Sequence, residues 1–178
     1  MVGANGSGKT TALLACCGVM NLRGVAELGG NDLTTAAGRM AVRGKAVLVP
    51  EDMGDFFLTS TMEQELELTA RLQGWDRKQL AEKVRVAWEG SGIGGDIAQP
   101  LAGLGRGESL RAVLAVLSMI EPWLCAWDGI QRQLDDANRA LLMRECKRMT
   151  ESGAIVLISC LREDEVPMAD VVIRLGEK

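Results

Sequence analysis

The sequence predicts an α/β fold: a mostly parallel sheet with helices on both faces and a helical lobe inserted into it. Three observations carry this. Short apolar runs at 45–49, 123–127 and 154–158 alternate with longer segments of helical spacing, the pattern of strands joined by crossover helices. Residues 61–105 offer two helices and no strand, so they read as a lobe set into the sheet. The chain also opens on Gly3-Ala4-Asn5-Gly6-Ser7-Gly8-Lys9-Thr10-Thr11, a glycine, four residues, then Gly-Lys-Thr, which is a phosphate-binding pattern at the entrance to a helix.

The chemistry explains that spacing. Glycines let successive backbone N–H groups turn inward and form a concave anion nest, here from Gly3, Asn5, Gly6, Ser7 and Gly8. Lys9 would reach the β- and γ-phosphates as a compact point charge, and the Thr10 hydroxyl would ligate Mg2+. Residues 11–20, from Thr11 onward, are apolar enough to continue as a helix whose N-terminal dipole faces the phosphates. The bland reading, a chance glycine-rich turn, is weakened by that helix. Only Met1 and Val2 precede Gly3, too few for the usual strand of about five or six residues. Either the chain has lost its beginning or the sheet is one strand short.

Bulk properties narrow the class. The 178 residues suit one domain with a sizeable core. A net charge of −4 gives no nucleic-acid footprint and no polybasic membrane patch. No apolar run reaches the length of about 18 residues that a membrane helix needs. Five cysteines, without a C-x-x-C pair, argue against a disulfide framework or a zinc site. They read as small core residues in a reducing, cytoplasmic compartment. There is no histidine, which excludes every mechanism that needs one.

The remaining elements follow in order. Residues 23–32 read as a short strand and turn around Val25, Leu28 and Gly29-Gly30-Asn31-Asp32, and 45–49 as a buried strand ended by Pro50. Helices are expected at 61–73 and at 77–89, the second capped by Asp76. Six glycines and Pro100 within 90–105 demand a loop. A strongly apolar helix at 108–120, a strand at 123–127 ending in Asp128, a helix at 136–151, a strand at 154–158 and a last strand at 170–175 complete the fold. Trp75, Trp88, Trp123 and Trp127 fall on helix and strand faces, where core packing is their natural role.

Asp128 is the second anchor, because an acid at the end of an apolar strand is the usual magnesium-side carboxylate beside a phosphate loop. Alone it reads equally well as a strand-ending turn residue. No Asn-Lys-x-Asp guanine reader and no arginine-rich lid are apparent. The chain as a whole resembles the ATP-binding subunit of an ABC transporter, a P-loop NTPase fold. Leu104-Gly105-Arg106-Gly107-Glu108 lies where that family has its Leu-Ser-Gly-Gly-Gln signature, and Glu121-Pro122 forms its pair before the strand. Gln133-Leu134-Asp135 stands at its Gly-Leu-Asp loop, and Val156-Leu157-Ile158-Ser159 resembles the strand before its switch histidine. Pro50-Glu51-Asp52-Met53-Gly54 with residues 61–74 looks most like exporter-type members. The resemblance implies ATP and Mg2+ as ligands, a membrane-spanning partner, a second ATP-binding subunit, and a place at the inner face of the membrane reached through that partner.

The departures from the family pattern fall on the chemistry of hydrolysis. Where the family has a catalytic glutamate after the strand aspartate, this chain has Gly129; where it has the switch histidine, Leu161; where it has the signature serine, Gly105, followed by Arg106. A positioned general base contributes about 10²- to 10⁴-fold, so hydrolysis is expected to be weak or absent. Glu51, near the expected metal, could partly substitute for the missing base or could be a solvated loop carboxylate. The family's adenine-stacking aromatic would lie in the absent N-terminal segment. Two defective sites in a homodimer make a heterodimer the expected arrangement. Two other readings stay open: a nucleotide-dependent pseudo-ATPase or interaction module with no transporter, and a decaying copy that folds poorly.

Overall fold

In a computed structural model, which describes residues 1–166 and 169–176, the elements run α1 (Lys9–Cys16), β1 (Glu27–Leu28), β2 (Asn31–Asp32), α2 (Ala36–Ala41), β3 (Ala46–Val49), α3 (Met62–Leu72), α4 (Arg77–Ser91), α5 (Arg106–Ile120), β4 (Leu124–Asp128), α6 (Asp136–Glu151) and β5 (Ile155–Ser159). They divide into two units. One is built from Met1–Glu51, Pro122–Gln133 and the chain from Cys146 onward, the other from Asp52–Glu121 and Leu134–Glu145.

The first unit holds a parallel sheet in the order β3-β4-β5. Val49 pairs with Trp127, Trp127 with Ile158 and Asp128 with Ser159. Side chains alternate across a strand, so Leu124, Ala126 and Asp128 share a face. Leu124 and Ala126 pack there with Leu13 of α1 and with Leu28, Leu33 and Val42. Burying this apolar face against α1 therefore fixes which way Asp128 points. Val2 forms single bridges to Cys160 and Arg174; its N–H donates to Ile173 O at 2.8 Å and its carbonyl accepts from Leu175 N at 2.8 Å. The strand expected at 170–175 thus reduces to one bridge at Arg174. Residues 167 and 168, which precede it, lie outside the described residues.

Other differences have local causes. α1 stops at Cys16 rather than residue 20 because the chain turns at Gly18, whose φ of 72° is left-handed. The strand expected within 23–32 is two short pairs, β1 against β2 antiparallel. α2 was not expected. Thr35 caps it, its hydroxyl accepting from Gly38 N at 3.0 Å, and Gly38 lies so close to the Asp32 carbonyl that no Cβ would fit.

In the second unit α3 and α4 pack on α5 around Met62, Leu66, Ala112 and Val116. Both caps act as expected for their residue types: Thr61 accepts from Gln64 N at 3.3 Å and Asp76 from Gln79 N at 2.9 Å. Glu65, only 3% exposed, fixes the loop before α3 by accepting from Leu58 N, Thr59 N and Thr59 Oγ1 at 3.0, 2.8 and 2.7 Å. Trp75 and Trp88 pack against this core. In the first unit Trp127 is fully buried, but Trp123 is 42% exposed and lies over Gly29, whose Cβ would meet the ring at 2.7 Å. None of the five cysteines forms a disulfide; Cys16 is half-buried and the rest are buried. Burial pushes the Cys17 thiol up to about 12 and raises Cys160, so these sulfurs stay protonated and act as packing groups. Among the described residues no group of cysteines and carboxylates is placed to hold a metal ion.

Candidate functional site

The loop from Gly3 to Thr10 takes its shape from its glycines for two different reasons. Gly6 and Gly8 have φ of 80° and 93°, and a Cβ on either would meet nothing within 4 Å. Their requirement is therefore conformational, since left-handed backbone costs an L side chain about 1–2 kcal/mol. Gly3 is a matter of space: a Cβ there would lie 2.5 Å from Ser7 Oγ and 2.6 Å from Leu175 O. Ser7 N–H donates to Ala4 O at 3.2 Å, closing the turn. The Ser7 hydroxyl is buried without a hydrogen-bond partner among the described residues, a polar group left over inside the loop. Asn5 and Thr11 are exposed.

Gly8 then starts α1 with no side-chain cap, and the first N–H groups of a helix have no intrahelical acceptor. These donors and the dipole behind them favour an anion. Lys9 adds the cation. Its ammonium is held in the loop by the carbonyls of Gly3 at 2.8 Å and Ala4 at 2.9 Å, an anchorage that keeps the charge at the loop.

The strand-end carboxylate expected on the Mg2+ side meets hydroxyls from two other segments. Thr10 Oγ1 donates to Asp128 Oδ2 at 2.6 Å, and Ser159 Oγ donates to Asp128 Oδ1 at 2.5 Å. The expected pair, Thr10 and Asp128, is thus brought together across 118 positions. Ser159 is the site residue that sequence reasoning missed; the only signal was its place at the end of the strand beside Asp128. A hydroxyl and a carboxylate oxygen are hard donors suited to Mg2+, so the set fits that ion. Glu51 follows β3, the strand next to β4, at the same carboxyl end of the sheet. It is exposed and makes no hydrogen bond among the described residues.

The departing positions are placed as follows. Gly129 follows Asp128 with φ of 67°, a backbone conformation that a glutamate would adopt only under strain. Leu161 is half-buried, and its N–H donates to Glu165 Oε2 at 3.4 Å. Gly105 and Arg106 belong to the second unit, where they open α5. The Gly105 N–H is taken by Glu108 Oε2 at 2.9 Å, so a carboxylate already occupies that helix start.

A glycine-shaped loop opening a helix, with its threonine hydrogen-bonded to a strand-end aspartate in a parallel sheet, defines a P-loop NTPase fold. The family model described as ABC transporter matches residues 1–130, and the chain belongs to the ABC transporter family. An energy-coupling factor transporter ATP-binding protein of Streptococcus sanguinis strain SK36 is 25% identical over 178 residues, 99% of this chain and 64% of that relative. A protein of the same name from Streptococcus pyogenes is 24% identical over 174 residues, 97% of this chain and 62% of the relative. The chain thus spans less than two thirds of the length of these curated relatives. Among solved structures, cbiO1 of Clostridium perfringens, part of the ABC transporter complex cbiONQ, is similar with a TM-score of 0.77 and 21% identity, over 94% of this chain and 68% of that one. A dimeric ATP-binding cassette in a post-hydrolysis state, bound to ADP and Pi, is similar with a TM-score of 0.80 and 16% identity, over 98% and 78%. These likenesses establish the fold. The relatives are named for energy coupling, and none of these names carries the efflux expected from residues 50–74.

Proposed function

We propose that this chain is an ATP-binding subunit of an ABC transporter that holds Mg·ATP in the Gly3–Thr11 loop and hydrolyses it slowly or not at all. The observation that carries the reading is the Thr10–Asp128 hydrogen bond of 2.6 Å, which joins the phosphate loop to the strand-end carboxylate. Backbone donors of Gly6, Gly8 and Lys9 would hold the phosphates, with the Lys9 ammonium neutralising them. Thr10 and Asp128 would hold Mg2+, with Glu51 at the margin; the ion would neutralise charge between β- and γ-phosphates. Gly129, Leu161 and Gly105 supply no group to orient or deprotonate the attacking water. That contrast supports binding without efficient turnover.

The wider assignments rest on the family and on the relatives' names. They are a membrane-spanning partner subunit, a second ATP-binding subunit that is a different chain, and a place at the inner face of the membrane through those partners. Among the described residues no helix is long and apolar enough to cross a membrane. Residues 61–105 are assigned to an inserted helical lobe, supported by the packing of α3 and α4 on α5.

A thermal melt with and without Mg·ATP tests the binding reading. At about 100 times its dissociation constant the ligand should add roughly 2.7 kcal/mol, which raises the melting temperature by about 5–10 °C for a chain of this size. An unchanged melt would remove the nucleotide assignment.

A further inference from the structure

We propose that Ser159 is a positioning residue for the magnesium-side carboxylate, a role that deepens the nucleotide reading above and rests on it. Three facts of geometry converge. Asp128 and Ser159 are register partners at the last paired position of the parallel strands β4 and β5. Their side chains therefore leave the sheet on the same face, the face covered by α1. The Ser159 hydroxyl then meets Asp128 Oδ1 at 2.5 Å while Thr10 meets Oδ2 at 2.6 Å.

A carboxylate held by one hydroxyl can still turn about its last torsion, which is broad and roughly two-fold. Held by two donors, one on each oxygen and each from a different segment, its plane is fixed. Ser159 is 0% exposed, so water cannot take over the hydrogen bond if the hydroxyl is removed. Thr10 stands at the start of α1, where solvent and ligand have access, and its own donor bond to Asp128 turns its oxygen lone pairs away from the carboxylate. Ser159 thereby acts through Asp128 on the orientation of the Thr10 oxygen. Because it acts through the carboxylate, its effect should appear only when the metal is part of the complex. Outer partners of this kind typically change metal affinity by about 10- to 100-fold when removed.

The experiment compares the ATP dissociation constant of the full chain in Mg2+ with that in EDTA, for the wild type and for Ser159→Ala, by titration calorimetry. The substitution removes one buried oxygen and adds no bulk. The expected result is that Mg2+ tightens ATP binding to the wild type, and that this tightening falls about tenfold or more in Ser159→Ala while the affinity in EDTA stays the same. Equal tightening in the two proteins would overturn the assignment, and so would an equal loss in both buffers, which would mean a structural role. A wild type that binds no ATP in either buffer would overturn the nucleotide reading and this one with it, a failure distinct from the first two.

Discussion

Lys9→Ala is expected to weaken ATP binding by about 10- to 100-fold and to cut the Mg·ATP-induced rise in melting temperature by about half or more. A hydrogen bond to a charged group is worth about 1.5–3 kcal/mol, and each 1.4 kcal/mol is a factor of ten in affinity. Among the described residues the ammonium is tied only to the carbonyls of Gly3 and Ala4, at a partly exposed loop where water can replace it. The unliganded melt should therefore stay close to that of the wild type. Titration calorimetry together with paired melts separates the two effects. A variant that binds ATP as tightly as the wild type would mean that the loop is not the phosphate site.

Gly129→Glu is expected to destabilise the protein and to leave hydrolysis weak, although it restores the acid that the family carries after the strand aspartate. The φ of 67° at Gly129 is left-handed, and a glutamate there costs about 1–2 kcal/mol, which lowers the melting temperature by about 2–8 °C for a chain of this length. The turn that follows Asp128 is built on this conformation, so the new carboxylate leaves the backbone in a direction set by the turn rather than by the nucleotide. Leu161 would also remain in place of a switch residue. ADP formation should rise by less than the roughly 10²-fold that a positioned base contributes at minimum. A rise of that size or more, with an unchanged melt, would show that the turn after Asp128 gives way easily and that the missing glutamate alone silenced the site.

The same residues show where sequence reasoning reached and where it stopped. The glycine-rich loop was legible because its pattern is local: the glycines, Lys9 and Thr10 fall within eight positions. The three sheet strands and the helices α3 to α6 were legible because apolar runs, helical spacing and the Asp76 cap are also local signals. α2 was not, because a six-residue helix carries too short a pattern, and only the Thr35 cap and the packing of Gly38 on Asp32 sustain it. β1 and β2, at two residues each, lie below the length at which alternation can be read. The last strand was over-read, since its apolar residues lacked a partner longer than Val2. Ser159 was invisible as a site residue for a different reason. Its pairing with Asp128 spans 31 positions and depends on a register that only the folded sheet defines.

Binding without efficient turnover is tested most directly by following one sample of purified chain with Mg·ATP, measuring bound nucleotide and ADP formed over time. The expected outcome is saturable ATP binding with turnover at least about 100-fold below the 1–10³ s⁻¹ common among enzymes. Hydrolysis at ordinary rates that disappears in Lys9→Ala would contradict it.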